Sequence, residues 1–171
     1  MVSINIPGRV VVFDYGEVIS QTPSEQDVQE LLEVAGLSLD ELQPPYWHHR
    51  EALDSGQIRV VEYWQRVAAD LGVSWDLATI HRLWAIDFRS WITVEPGTVQ
   101  LIDELRQGGT RLALLSNAGY DYGDAFRNAP FSYGFERVFV SAEMGLLKPD
   151  PEIYRRTLEE LGIEPAQMLF V

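Results

Sequence analysis

The stretch VVVFDYGEVIS, residues 10–20, decides the fold. The run from Arg9 to Phe13 ends in four consecutive apolar residues, three of them β-branched. A strand with one wet face would alternate polar and apolar positions, so an unbroken run predicts a parallel strand covered on both faces. The run stops at Asp14, and Gly16 follows two residues later. Ligands of open parallel sheets bind beyond the carboxyl ends of the strands, which makes Asp14 a candidate nucleophile or metal ligand.

Outward from this strand the texture changes twice. SEQDVQELLEVAG, from Ser24, predicts a helix with Ser24 as N-cap and Gly36 as stop. SLDE, residues 38–41, is a capping box, after which Pro44 and Pro45 are expected to interrupt. Helices are expected over 46–53, 60–71 and 74–91, with no strand pattern in this block. From Glu95 the pattern becomes α/β. EPGTVQLIDELRQGG reads as a helix and TRLALLSNAG as a strand entering a small polar turn. A helix over 120–127 and a strand in RVFVSAEMG follow. DPEIYRRTLEELG is a helix with Asp150 as N-cap and Gly162 as stop, and QMLFV starts a last strand.

This alternation predicts an α/β fold, a Rossmann-like parallel sheet with an inserted small helical cap domain. Residues 1–20 and 95–171 would form the core and residues 21–94 the insert. All five tryptophans (Trp47, Trp64, Trp75, Trp84, Trp91) fall in the insert. They are expected to form its core, with one or two lining a substrate pocket.

Composition narrows the function. The 171 residues can bury one sizeable core, and a net charge of −13 would repel phosphate backbones and anionic lipid surfaces. Neither nucleic acid nor membrane is an expected partner. A small anionic substrate requires local positive groups. The absence of cysteine excludes disulfides, thiolate metal sites and a cysteine nucleophile. The first basic residue is Arg9 and no early apolar run is long enough for a signal peptide, so a cytoplasmic location is expected. Oligomeric state is not legible.

The strand ends carry the chemistry. The first delivers Asp14, the second Ser116 and Asn117, and the third leads to Lys148, the only lysine in the chain. A carboxylate can attack phosphorus, splitting one hard displacement into two easier ones. A lysine and Mg²⁺ would offset the meeting of two anions, while a hydroxyl and turn N–H groups would hold phosphate oxygens. Each residue alone has an ordinary account, as a helix cap, a turn pair or a solvated lysine. Their succession at consecutive strand ends is what points to phosphoryl transfer. His48 and His49 are adjacent on a predicted helix with no third ligand in register, and are read as polar surface residues, as is His81. Arg50 and Arg59, in the insert, are expected on solvated faces, with contact to an anionic substrate group as the alternative.

VVFDYGEVI, LALLSNAG and GLLKPDPEIY, in this order, resemble the first three motifs of the haloacid dehalogenase-like (HAD) hydrolase superfamily. DSGQIRVVEYW resembles the cap helices of the subfamily that contains many small-molecule phosphatases. The resemblance implies a Mg²⁺-dependent phosphatase of a small phosphorylated metabolite, working through an aspartyl phosphate. It implies Asp14 as nucleophile and metal ligand and Gly16 as a carbonyl metal ligand. Ser116 and Asn117 would bind the phosphoryl group, and Lys148 would orient Asp14 and neutralise charge. The cap would exclude water and choose the substrate.

Two departures accompany the match. Family phosphatases usually carry a second Asp two residues after the nucleophile as general acid and base, where this chain has Gly16. Alternation aims the neighbouring Glu17 away. The family also places a pair of acidic residues after the strand that here reads MLFV, and the expectation is that the natural protein continues past Val171. Glu143 could at best approach the site, while Asp121 and Asp124 are expected to cap or decorate a helix. The same residues leave two alternatives open: a 2-haloacid dehalogenase using the same aspartate, and a non-catalytic HAD-like binding domain.

Overall fold

The structure, a computed structural model, describes residues 3–171. Four parallel strands form one sheet in the order β3-β2-β1-β4, with β1 at Val10–Phe13, β2 at Arg111–Ser116, β3 at Arg137–Val140 and β4 at Met168–Phe170. The unbroken apolarity of β1 has a direct cause. Val11 and Phe13 pack on one face against Ile102 and Leu105 of α6 (Pro96–Gln107) and Phe126 of α7 (Tyr120–Asn128). Val10 and Val12 pack on the other against Ile153 and Leu161 of α9 (Pro151–Leu161). All four β1 residues are buried, each contributing roughly 2 kcal/mol of apolar burial. The strand order reverses at β1, between β2 and β4, so its carboxyl end is the crevice where such sheets bind ligands.

Five helices lie between β1 and β2: α1 (Glu25–Ala35), α2 (Leu39–His48), α3 (Arg50–Asp54), α4 (Val60–Leu71) and α5 (Leu77–Trp91). They share a separate hydrophobic cluster around Leu42, Tyr63, Trp64, Val67, Ile80 and Leu83. The chain enters and leaves this helical unit through adjacent passages, with an antiparallel bridge between Ser20 and Val94 and the Gln21 N–H donating to the Thr93 carbonyl at 2.8 Å. Between β3 and α9 lies the short α8 (Ser141–Met144).

The predicted caps are in place. The Ser24 hydroxyl accepts the Asp27 N–H, Gly36 ends α1 in the left-handed region, and Asp150 and Gly162 bracket α9. Among the described residues no helix is long and apolar enough to cross a membrane.

Three expectations fail locally. Pro44 and Pro45 do not interrupt; α2 runs through them to His48. A proline forfeits one intrahelical bond, and packing of Leu42 and Tyr46 into the helical unit outweighs that loss. The break falls at His49 instead, so the single helix expected over 46–53 is two. The helix expected from Ser74 begins at Leu77, because Asp76 takes the cap by accepting the Thr79 N–H at 2.8 Å.

The tryptophans divide between core and cavity wall. Trp64 is fully buried and Trp75 and Trp84 pack against the helical cluster, whereas Trp47, about half exposed, and Trp91 line a cavity.

Candidate active site

Asp14 sits at the carboxyl end of β1, where its backbone N–H donates to the Val171 carbonyl at 2.8 Å. Its Oδ1 accepts two hydrogen bonds, from the Tyr15 N–H at 2.7 Å and from the Lys148 ammonium at 2.6 Å. Among the described residues Oδ2 has no partner and remains available. Lys148 is held from three sides. Its Nζ also donates to the Leu115 carbonyl at 3.0 Å and stands 5.1 Å from the Phe170 ring centroid. Its backbone is clamped by Asn117, which accepts the Lys148 N–H at 2.8 Å and donates to the Lys148 carbonyl at 3.0 Å. The Asn117 amide therefore ties the end of β2 to the lysine loop. The buried Ser116 hydroxyl makes no hydrogen bond among the described residues and borders a cavity.

Tyr15 anchors the turn after Asp14. Its ring lies 4.1 Å from that of Phe126, its hydroxyl donates to the Trp91 carbonyl at 2.9 Å, and burial pushes its pKa up to about 12. A phenol that stays protonated can hold this bond across the working pH range. The left-handed backbone of the turn belongs to Glu17, at φ 61°, and not to Gly16. Gly16 has no heavy atom within 4 Å of where a Cβ would stand, so its smallness opens space beside the nucleophile. Glu17 is exposed and lines a different cavity, among α1, α2 and α5.

Two cavities are lined by neighbours and partners of Asp14. One, of about 240 Å³, is lined by Tyr15, Gly16, Trp47, Arg50, Asp54 and Ser116, among others. The other, of about 630 Å³, includes Glu51, Asp54, Asn117, Lys148 and Asp150. Asp54 and Asn117 border both.

Arg50 is withdrawn from solvent, whereas Arg59 is exposed, as expected. The Arg50 guanidinium donates to Asp87 Oδ2 at 3.1 Å and to the Tyr46 hydroxyl at 3.2 Å, and lies 3.7 Å from Asp54 Oδ2. Two carboxylates, Asp54 and Asp87, thus share one buried cation, and burial raises the pKa of both Asp54 and Asp121. The Arg59 guanidinium carbon lies 3.6 Å from the Tyr120 ring centroid. Asp121 joins the helical unit to α7 by accepting the Trp84 indole N–H at 2.7 Å, while Asp124 is exposed. Glu143 pairs with Arg127, away from Asp14.

The histidines also differ from expectation. Because α2 ends at His48, the two rings converge with centroids 4.7 Å apart, and His49 Nε2 lies 2.8 Å from Asp70 Oδ2. That pair closes the α2 end onto α4, far along the chain from the strand ends.

The sequence model of the haloacid dehalogenase-like hydrolase family matches residues 9–171. The chain belongs to this family. Its structural relatives agree in fold. A HAD family enzyme of Bacteroides thetaiotaomicron, solved in complex with magnesium and inorganic phosphate, superposes with a TM-score of 0.72 at 20% identity, covering 95% of this chain and 83% of that one. The L-2-haloacid dehalogenase of Xanthobacter autotrophicus, solved with chloropropionic acid covalently bound, gives 0.66 at 24% identity, covering 95% and 68%. Among curated proteins, the phosphoserine phosphatase of Thermus thermophilus is 32% identical over 77 residues, 44% of this chain and 31% of that protein. The chain spans about a third of the length of the curated relatives it matches. A HAD family enzyme that was solved with magnesium and phosphate and a haloacid dehalogenase thus share this fold.

The donors at the β1 end fit a hard divalent cation in kind. Asp14 Oδ2 and the Gly16 carbonyl are oxygens, and Mg²⁺ is commonly bound through one or two carboxylates together with water and substrate phosphate.

Proposed function

We propose that the protein is a Mg²⁺-dependent phosphatase of a small phosphorylated metabolite, acting in the cytoplasm through an aspartyl phosphate on Asp14. The observation that supports it most directly is the 2.6 Å contact of the single lysine, Lys148, with the carboxylate of Asp14. Attack on a phosphate dianion by a carboxylate assembles like charges, and a fixed ammonium beside the nucleophile reduces that repulsion.

Asp14 Oδ2, free of hydrogen bonds among the described residues, attacks phosphorus. The bond to the leaving oxygen breaks, and water then cleaves the acyl phosphate. Ser116, with its unpartnered hydroxyl on the cavity wall, donates to a phosphate oxygen. Asn117 positions Lys148 through its backbone clamp. Asp14 and the Gly16 carbonyl would hold Mg²⁺, which when bound supplies charge neutralisation for the phosphoryl oxygens. The helical unit of residues 21–94 acts as a cap, with Trp47, Trp91 and Arg50 facing the leaving group and excluding water.

The test is phosphate release from a panel of sugar phosphates and an aryl phosphate, with and without Mg²⁺, by the protein at its full natural length. Halide release from 2-chloropropionate is measured in parallel. Metal-dependent phosphate release abolished by Asp14→Asn carries the reading. Halide release without phosphate release replaces it with a dehalogenase, and absence of both in folded protein leaves a binding domain.

A further inference from the structure

Gly16 leaves the phosphatase site without an acid/base carboxylate on the strand side. A proton must still reach the leaving oxygen in the first step, and leave the attacking water in the second. Among the described residues, the acidic side chains bordering either cavity beside the nucleophile are Glu51, Asp54 and Asp150, and Asp54 alone borders both. Its Oδ2 faces Arg50 at 3.7 Å, while its Oδ1 is buried with no hydrogen-bond partner. An unsatisfied buried carboxylate oxygen is costly to a fold and calls for an explanation in function.

The local chain is built to hold this residue in place. Asp54 is the last residue of α3, and its backbone carbonyl accepts the Ser141 hydroxyl at 2.5 Å; the same hydroxyl receives the Ala118 N–H at 2.9 Å. Gly56 follows with φ 77°, and a Cβ there would stand 2.5 Å from the Ala142 carbonyl oxygen. Arg59 then stacks on Tyr120. Three contacts therefore pin the end of α3 and the turn after it against the first residues of α7 and α8.

We propose that Asp54, presented by the cap, is the general acid and base of the reaction, supplying the proton transfers for which Gly16 has no side chain. This rests on the phosphatase reading above. In the first step the Asp14–phosphorus bond forms, the phosphorus–oxygen bond to the leaving group breaks, and the proton of the Asp54 carboxylic acid passes to the leaving oxygen. In the second, the Asp54 carboxylate takes a proton from water as its oxygen bonds to phosphorus and the Asp14–phosphorus bond breaks. Asp54 is then an acid again, and free phosphate leaves. Burial holds its pKa above the usual carboxylate range, which favours the acid form the first step needs. The charged groups facing it are Arg50 on its own helix, Asp87 of α5 and Asp121 of α7, with Lys148 and Asp150 across the larger cavity.

The experiment compares leaving groups on the full-length protein. In Asp54→Asn, an alkyl phosphate, whose alkoxide must be protonated, is expected to turn over at least ~100-fold more slowly. p-Nitrophenyl phosphate needs no proton, so the variant still gives a rapid burst of one nitrophenol per enzyme, after which phosphorylated Asp14 accumulates and is detected by mass. Asp54→Glu recovers part of the alkyl phosphate rate. Loss of the nitrophenol burst together with the alkyl phosphate rate, or no loss on either substrate, overturns the assignment. Should the asparagine variant not fold, a leaving-group series on the wild type decides: a rate nearly independent of leaving-group pKa supports proton donation, and a steep dependence overturns it. If the wild type releases no phosphate from any substrate, it is the phosphatase reading that has failed.

Discussion

Replacing Lys148 with alanine isolates the electrostatic part of the site. Unit charges 2.6 Å apart attract by about 6 kcal/mol at an effective dielectric near 20. Both partners keep some contact with solvent, the side chains being 11% and 31% exposed, and water entering the vacated space recovers about half of that. A net loss near 3 kcal/mol at the transition state lowers kcat/KM about 100-fold, at ~1.4 kcal/mol per decade. The fold has little reason to respond. The lysine loop is held by the Asn117 amide through the backbone of residue 148, and those two hydrogen bonds survive truncation of the side chain. The melting temperature is expected to stay within about 3 °C of wild type. The assay pairs steady-state phosphate release with a thermal melt on the same sample. A rate within threefold of wild type, or a rate loss matched by a comparable loss of folded protein, would falsify the electrostatic role.

Asp14→Asn removes the nucleophile and is expected to lower phosphate release to background while leaving the melt intact, read by a colorimetric phosphate assay and circular dichroism. At Gly16 a Cβ meets no atom within 4 Å and the backbone is not left-handed, so Gly16→Asp should fold with a melting temperature close to wild type; combined with Asp54→Asn it should restore alkyl phosphate turnover at least tenfold over that single variant. Gly56→Ala places a Cβ against the Ala142 carbonyl at positive φ and should destabilise by about 2 kcal/mol or more, with a weakened cap and a raised KM, measured by denaturant melts and kinetics. Asp121→Asn tests linkage. The folded protein holds the Asp121 proton more tightly than the unfolded chain, chiefly through burial, so stability falls as pH rises from the unfolded carboxylate pKa through the raised folded one. The asparagine keeps an acceptor for the Trp84 N–H, so the variant should melt higher than wild type at pH 7 and equally at pH 3 in a calorimetric pH series.

The sequence by itself determined the sheet and the strand-end residues. β1 could be read from four apolar residues because both of its faces are covered, and a one-dimensional run records two-sided burial without ambiguity. Asp14, Ser116 and Lys148 were legible because strand ends in a parallel sheet all fall on one edge, so strand positions alone bring them together. The caps Ser24, Asp76 and Asp150 act within three residues of themselves and leave a local mark, although choosing Asp76 over Ser74 depended on where the helix finally docked. What only the tertiary structure decided involves partners far apart in the chain. Arg50 looked like a solvated helix residue, and Asp54 carried no signal of its own; their placement follows from Asp87, Tyr46 and the α3 clamp at Ser141, up to 87 residues away. Pro44 and Pro45 remained helical for the same reason, since packing of neighbouring side chains outweighs a local propensity. His48 and His49 met Asp70 because the helix breaks at His49 and α4 packs beside that break, and the left-handed turn fell on Glu17 while Gly16 supplied only space. Backbone preferences act over a few residues, whereas burial and hydrogen-bond satisfaction are settled by the whole chain at once.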